Sequence, residues 1–348
     1  MKKDKADLTN KADKPSKLII KTNFFEVIPQ GTKIDFMGMA WYMIIITTAL
    51  SVISLGLVFY LGFNWSIDFV GGLEMRVEFK NQAKNATIHD VRRAMTTLPA
   101  DLPLTDVQVT NFIVQNKNVY SIKAKGEENV TRAGGDQALH DLSGKVFNYL
   151  AQKFGKENVE VISVDMVGPR VGASLRRQGI YSIFYSLLGI LLYMGYRFNY
   201  RFSPGAVVCL MHDLAIVAGV YAVLRLEVDL TVIAAFLTIA GYDVNDTIVV
   251  FDRIREGRNQ KYRTLPVREM VNRAINETLS RTVLTSGVTM LVVIALLFLG
   301  GQILFNFALA MTMGIVLGTY SSIFIASPLY VFLEELYVKR RKARGAKA

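Results

Sequence analysis

The run Gly241-Tyr242-Asp243-Val244-Asn245-Asp246-Thr247-Ile248-Val249-Val250-Phe251-Asp252-Arg253-Ile254-Arg255-Glu256 ends a stretch otherwise apolar enough to cross a membrane. A charged side chain at the bilayer centre costs about 2.5–3.5 kcal/mol or more unless it is paired, hydrated or protonated, so an acid held there marks a functional site by default. Asp243 and Asp246 are three residues apart, and a helix sets them on neighbouring positions of one face. Two carboxylates at that spacing disfavour double ionisation, so they titrate as a coupled pair and one of them can hold a proton. Arg281, at the mouth of a later apolar stretch, is the cation placed to oppose them. Asp246 then has two readings, a proton-binding switch or a structural acid permanently paired with Arg281. Asn245 points about 100° from Asp246 and fits either a relay or a bond to a neighbouring helix. His212-Asp213, inside another apolar stretch, fits a relay or a satisfied interhelical contact. Asp252 and Arg253 sit at the edge of the span and read best as a solvated ion pair.

The elements that must hold these groups are membrane helices. A span needs roughly 20 mostly apolar residues, and six segments qualify: Ala40–Phe63, Gly179–Tyr196, Pro204–Leu224, Leu230–Phe251, Thr282–Leu299 and Ile303–Ser327. The last contains Gly314-Ile315-Val316-Leu317-Gly318, a small-xxx-small spacing that lets helices approach closely. The chain is 51% hydrophobic with a formal charge of +11 over 348 residues, and the basic residues cluster between the spans. That alternation fits the positive-inside rule better than nucleic-acid binding, and no nucleic-acid partner is expected. It puts the 1–39 tail, a basic loop at 252–281 and the 333–348 tail in the cytoplasm. An even number of spans keeps both termini there. The single cysteine, Cys209, excludes a disulfide within one chain. The first apolar run starts too late and runs too long for a cleaved signal peptide, and reads as an uncleaved anchor.

Residues 64–174, between spans 1 and 2, then face the periplasm. From Phe63 to Ala173 thirteen acids balance thirteen bases, as suits a translocated domain. Leu73–Phe79 alternates with period two. Thr87 can cap a helix to about Leu98, with Asp90 as its capping-box partner. Val107–Gln115 and Asn118–Lys125 read as a hairpin turning at Asn116-Lys117. Gly135–Phe154 has helical spacing, and Val159–Val164 alternates again. The expected fold is an α-helical membrane protein with six transmembrane helices, 175–332 holding helices 2–6, plus an α+β ferredoxin-like periplasmic domain.

Four motifs carry a resemblance that covers nearly the whole chain. They are Asp68-Phe69-Val70-Gly71-Gly72, Val167-Gly168-Pro169-Arg170-Val171-Gly172, the run that opens at Gly241, and Leu279-Ser280-Arg281-Thr282-Val283-Leu284-Thr285-Ser286. In these the chain resembles the SecF family, subunits of the SecDF accessory complex of bacterial Sec protein export, within the wider resistance-nodulation-division group of proton-driven transporters. The family's functional aspartate maps onto Asp246, and the resemblance supports Arg281 as its counter-ion. One departure stands out: Asp243 occupies a position where the family more usually has serine. The resemblance implies an inner-membrane protein in which proton movement drives pulling or clamping of an unfolded secretory polypeptide by the outer domain. It also implies SecD as partner, with the SecYEG channel and YajC nearby, all in contact with membrane lipid. Six spans make half of a two-repeat transporter, which points to the same partner.

Gly71-Gly72 and Gly168-Pro169 read as hinges between domain and membrane rather than ligand sites, since glycine relaxes the backbone and proline fixes it. The sequence holds no metal-ligand cluster, Walker loop or nucleophile elbow, so neither an enzyme nor a cofactor is expected. Two alternatives remain: a passive binding module of the translocon, and a small-molecule or lipid exporter. An exporter would bring a larger outer domain and usually two repeats in one chain.

Overall fold

The computed structural model describes residues 29, 32–80, 86–97, 104–114, 117–126, 128–198, 203–261 and 264–345. Among the described residues six helices are long and apolar enough to cross a membrane. The first, α1 (Phe36–Leu61), leads into a two-residue strand β1 (Asn64–Trp65) and a single helical turn α2 (Ile67–Val70). An inserted domain follows: β2 (Gly72–Phe79), α3 (Ile88–Thr96), β3 (Leu104–Val114), β4 (Lys117–Gly126), α4 (Glu128–Phe154) and β5 (Val159–Val167). The chain then returns to the bundle through α5 (Pro169–Arg197), α6 (Ser203–Val223), a second short strand β6 (Glu227–Val228) and α7 (Leu230–Glu256). Helices α8 (Val267–Leu299), α9 (Gly301–Ser321) and α10 (Ser327–Gly345) complete it.

Burial sorts the bundle into centre and rim. Half or more of the apolar windows of α6 and α7 is buried, against 11% for α1 and α5. The acids of the 213 and 243–246 positions therefore lie on its two central helices. Outward faces of α1, α5 and α8 carry bare large apolar groups, among them Trp41, Phe59, Phe184, Tyr185, Leu291 and Phe298. In water such surface would be a liability; in a bilayer it is the lipid- or partner-facing side.

The inserted domain forms a four-stranded sheet in the order β3-β4-β2-β5, each adjacent pair antiparallel. Alternation along β2 sends Leu73, Met75 and Val77 into a core closed by Val91 and Met95 of α3 and by Leu142, Val146 and Leu150 of α4. Glu74, Arg76, Ser121 and Lys123 point from the opposite face toward the bundle, lining a polar cavity of about 180 Å³ with Glu227, Asp229 and Asn306. The capping box read at Thr87 is present, with Thr87 N donating to Asp90 Oδ2 at 2.9 Å and Asp90 N to Thr87 Oγ1 at 3.3 Å. The residues of the expected turn at Asn116-Lys117 are only partly described, and Asn116 lies outside the described residues.

The basic loop expected over 252–281 is for the most part helix. α7 continues to Glu256, a π-helical turn spans Gly257–Lys261, and α8 starts at Val267. Charge had suggested a solvated connection. Met270, Val271, Ala274, Ile275, Thr278 and Leu279 nevertheless recur every three or four residues and are all buried, which makes the segment an amphipathic helix. Asn272 and Asn276 of that helix cap α1, accepting from Phe36 N and Ile34 N at 2.9 Å each. The second span likewise begins earlier than its apolar stretch, at Pro169, a residue suited to the first turn of a helix. The sixth changes geometry at a π-helical segment, Ser322–Ala326, just before Pro328, whose missing N–H cannot continue the ladder.

Thr87→Ala should weaken α3 by about 1 kcal/mol, the usual worth of a Thr cap. Hydrogen exchange of the α3 amides in the full chain should then rise roughly fivefold. Bonds from the Thr87 side chain and backbone hold the Asp90 carboxyl below its ordinary pKa. A depressed acid stabilises the fold above its unfolded pKa of about 4, and this is lost as pH falls through the lowered value. The difference between Thr87→Ala and the unaltered chain should therefore shrink in acid; an unchanged difference would remove the capping box as its cause.

Candidate functional site

Asp213, Asp243 and Asp246 are the most deeply buried acids of the bundle centre, at 0%, 1% and 1% exposure. They divide between two sets of contacts. Asp246 Oδ2 accepts a hydrogen bond from Ser286 Oγ of α8 at 3.1 Å, and Ser286 Oγ accepts in turn from Thr319 Oγ1 of α9 at 2.8 Å. Asp213 accepts from Ser321 Oγ at 2.6 Å on Oδ2, and its Oδ1 is 2.8 Å from His212 Nδ1. Cys209 Sγ, one helical turn back, is 4.0 Å from the same Oδ2. Asp243 lies against Gly318 of α9, one helical turn from Ser321, the residue that holds Asp213.

Glycine on α9 makes this packing possible. A Cβ at Gly318 would overlap the carboxyl group of Asp243, and one at Gly314 would overlap Ile239. The small-xxx-small spacing of the last span thus seats α9 directly against α7.

Arg281 is exposed, and no ion pair within 4 Å joins it to Asp246, although its charge acts on that acid. Asn245 is exposed on the bundle surface, away from all three acids. Asp252 and Arg253 are both ion-paired, but with other residues. Asp252 holds Arg255 at 2.5 Å, and Arg253 holds Glu256 at 2.5 Å and Glu277 of α8 at 2.6 Å. Sequence reading missed Ser286 as a partner of Asp246, Ser321 as a partner of Asp213, and Glu334. That acid is 1% exposed on α10, with Oε1 2.7 Å from Arg258 Nη2. The only signal for the hydroxyls was a small polar residue inside an apolar helix.

The two glycine motifs meet, although about 100 residues separate them. Gly71, at φ +91°, lies against Pro169, and a Cβ there would stand 3.0 Å from its N and Cα. A Cβ on Gly172 would stand 2.9 Å from the Phe69 carbonyl. Gly72 and Gly168 flank this contact, Gly72 pairing with Val167 across β2 and β5. Asp68 of the first motif reaches the start of α7, its Oδ2 accepting from Leu230 N at 3.2 Å. A carboxylate at a helix N-terminus is favoured by the helix dipole. Beside it, Asn64 and Trp65 pair in parallel with Glu227 and Val228, and Lys123 Nζ is 3.2 Å from Glu227 Oε2. Burial disfavours the Lys123 ammonium, but Glu227 and Glu74 outweigh it and raise its pKa. The element carrying Asp243 and Asp246 therefore starts at the joint with the inserted domain.

These features define a multi-pass membrane protein with an inserted α+β domain, whose central helices bury ionisable groups. The chain belongs to the SecD/SecF family of protein export membrane proteins. A sequence model described as "Protein export membrane protein SecD/SecF, C-terminal" matches residues 146–336, and one described as "SecD/SecF GG Motif" matches residues 59–83. The protein translocase subunit SecF of Rhodothermus marinus is 40% identical over 293 residues, which cover 82% of this chain and 88% of the relative. SecF of Calditerrivibrio nitroreducens is 37% identical over 90% of this chain and 98% of the relative. SecDF of Thermus thermophilus is 40% identical over 90% of this chain, which spans only 40% of that longer protein. The crystal structure of the translocon-associated SecDF from Thermus superposes with a TM-score of 0.72 at 36% identity, covering 88% of this chain and 39% of that one.

Gly318→Ala should destabilise the bundle by placing a methyl group on the Asp243 carboxyl. Shortening the acid in the double variant Gly318→Ala/Asp243→Ser should return part of the loss. Residues in contact show coupling of about 0.5–3 kcal/mol in such cycles, measurable by thermal unfolding of the purified full chain. Strictly additive effects would mean that the two side chains do not compete for the space.

Proposed function

We propose that this chain is the six-span half of a SecDF-type export complex, pairing with SecD beside the SecYEG channel and YajC. In this reading proton movement past α7 drives the inserted domain to pull or clamp an emerging polypeptide. The observation that carries it is Asp246: a carboxyl group 1% exposed on a central helix, accepting from the Ser286 hydroxyl, which itself accepts from Thr319, with the charge of Arg281 acting on it but no direct ion pair between the two. A permanently bridged acid would be locked. One held by Ser286 can gain or lose a proton while Arg281 stays within electrostatic reach.

Each inward proton releases about 2.3 kcal/mol per 100 mV of membrane potential, enough to bias a two-state equilibrium about fiftyfold. The basic clusters support cytoplasmic termini and a periplasmic domain in a bacterial inner membrane. Strand order and antiparallel pairing support a ferredoxin-like domain. The exposed Asn245 and Arg281 suit a face of α7 and α8 that packs on the partner half. The role is mechanical and needs neither enzyme chemistry nor a cofactor.

The test is secretion in cells that lack their own SecF and carry Asp246→Asn, with protein level and SecD co-purification checked alongside. Asparagine keeps size and polarity but exchanges no proton. Export should fall to the level of cells without the protein while the complex stays intact. Export at the unaltered level would favour a passive binding module.

A further inference from the structure

Asp213 and Asp243 face each other across α6 and α7 with opposite provision. Asp213 is partnered on both oxygens, the Ser321 hydroxyl donating to one and His212 Nδ1 lying 2.8 Å from the other. Among the described residues neither oxygen of Asp243 has a hydrogen-bond donor, although the side chain is 1% exposed. Its carboxyl group lies against Gly318 of α9, and Ser321, three residues on along the same helix, holds Asp213, so the two acids share one turn of α9. An ionised carboxylate only accepts, so two carboxyl groups bond to each other only when one carries a proton. Without that proton two like charges confront one another away from water. Gly318 packs directly on the Asp243 carboxyl, where even a Cβ would overlap it. A second group borders the pair: His212 is 7% exposed, and its Nε2 has no hydrogen-bond partner among the described residues while Nδ1 lies 2.8 Å from Asp213 Oδ1.

We propose that Asp213 and Asp243 bind one proton between them, forming a second proton site distinct from Asp246. The inference rests on the reading of α7 as a proton-responsive helix and adds an α6–α7 bridge that exists only when the shared proton is bound. Its surroundings are defined. α6 contributes Cys209, His212 and Asp213, and α7 itself contributes Asp246. α9 brings the Ser321 hydroxyl and the Gly318 backbone, and the α8 cation Arg281 acts on Asp246. Loss of the proton turns the bridge into a repulsion between the two central helices. Its release and uptake would then shift α6 against α7.

The test is an infrared pH titration of the purified full chain in lipid nanodiscs, reading the carbonyl band of protonated carboxyl groups and its shift in deuterated water. A band lost in both Asp213→Asn and Asp243→Asn, yet retained in Asp246→Asn, is the expected result. Asp243→Asn is the safe variant for folding, because its amide donates to Asp213 and keeps the bridge without a titratable proton. Persistence of every band in Asp243→Asn overturns the proposal, as does loss of the band on adding sodium at fixed pH, which would assign the site to a metal cation. Secretion unaffected by Asp246→Asn alongside the expected infrared pattern would sink the export-coupling reading and leave this pair standing.

Discussion

Burying three carboxyl groups at the centre of an apolar bundle is the constraint to which the rest of the architecture answers. Each must find donors, a proton or a counter-charge, because an unpaired charge in hydrocarbon is expensive. The chain meets this with hydroxyls rather than cations: Ser286, itself backed by Thr319, for Asp246, and Ser321 for Asp213. Hydroxyls satisfy either protonation state, since they both donate and accept. A lysine or arginine in the same place would favour the ionised state alone.

The choice of hydroxyls dictates the character of α9. Gly314, Gly318 and Ser321 fall at i, i+4 and i+7, on one helical face, and that face is the one pressed on α7 and Asp213. Glycine brings the backbone close enough for short serine and threonine side chains to reach acids on neighbouring helices. The π-helical segment that follows, Ser322–Ala326, is of a kind that recurs at functional sites. Here it separates the face that serves the acids from α10, where Tyr330 and Glu334 receive Arg258.

Much of this was legible in the sequence, and what was not has a geometric cause. All six spans were readable from apolar length, and β2 and β5 from alternation, because both signals are local. The basic loop expected over 252–281 is helix from Val267 onward, because the three-to-four spacing of Met270, Val271, Ala274 and Ile275 outweighs the charge between them. Asp243 and Asp246 were readable as chemistry but not as separate centres. Three residues advance a helix by 300°, leaving the two side chains about 60° apart, enough for one to meet α6 and the other α8. Which helix lies on which side is a tertiary fact. Gly71-Gly72 and Gly168-Pro169 were read singly as hinges; their meeting across a hundred residues has no local signature.

That joint decides how the two halves of the molecule can influence one another. α7 is 27 residues long, about 40 Å as a straight helix, and carries Asp243 and Asp246 at and just past its midpoint. Its first residue donates to Asp68, and the strand just before it pairs with Asn64 and Trp65 and presents Glu227 to Lys123 of the sheet. A helix is stiff along its axis, so a shift or rotation imposed near Asp243 and Asp246 is felt at Leu230. There it meets no slack linker. Gly71 against Pro169, and Gly172 against Phe69, leave no space for even a methyl group without displacement. Close-packed contacts of this kind transmit strain rather than absorb it. The glycines that resemble hinges in isolation therefore serve in the fold as tight seats, through which the ionisable core of the bundle and the inserted domain are mechanically joined.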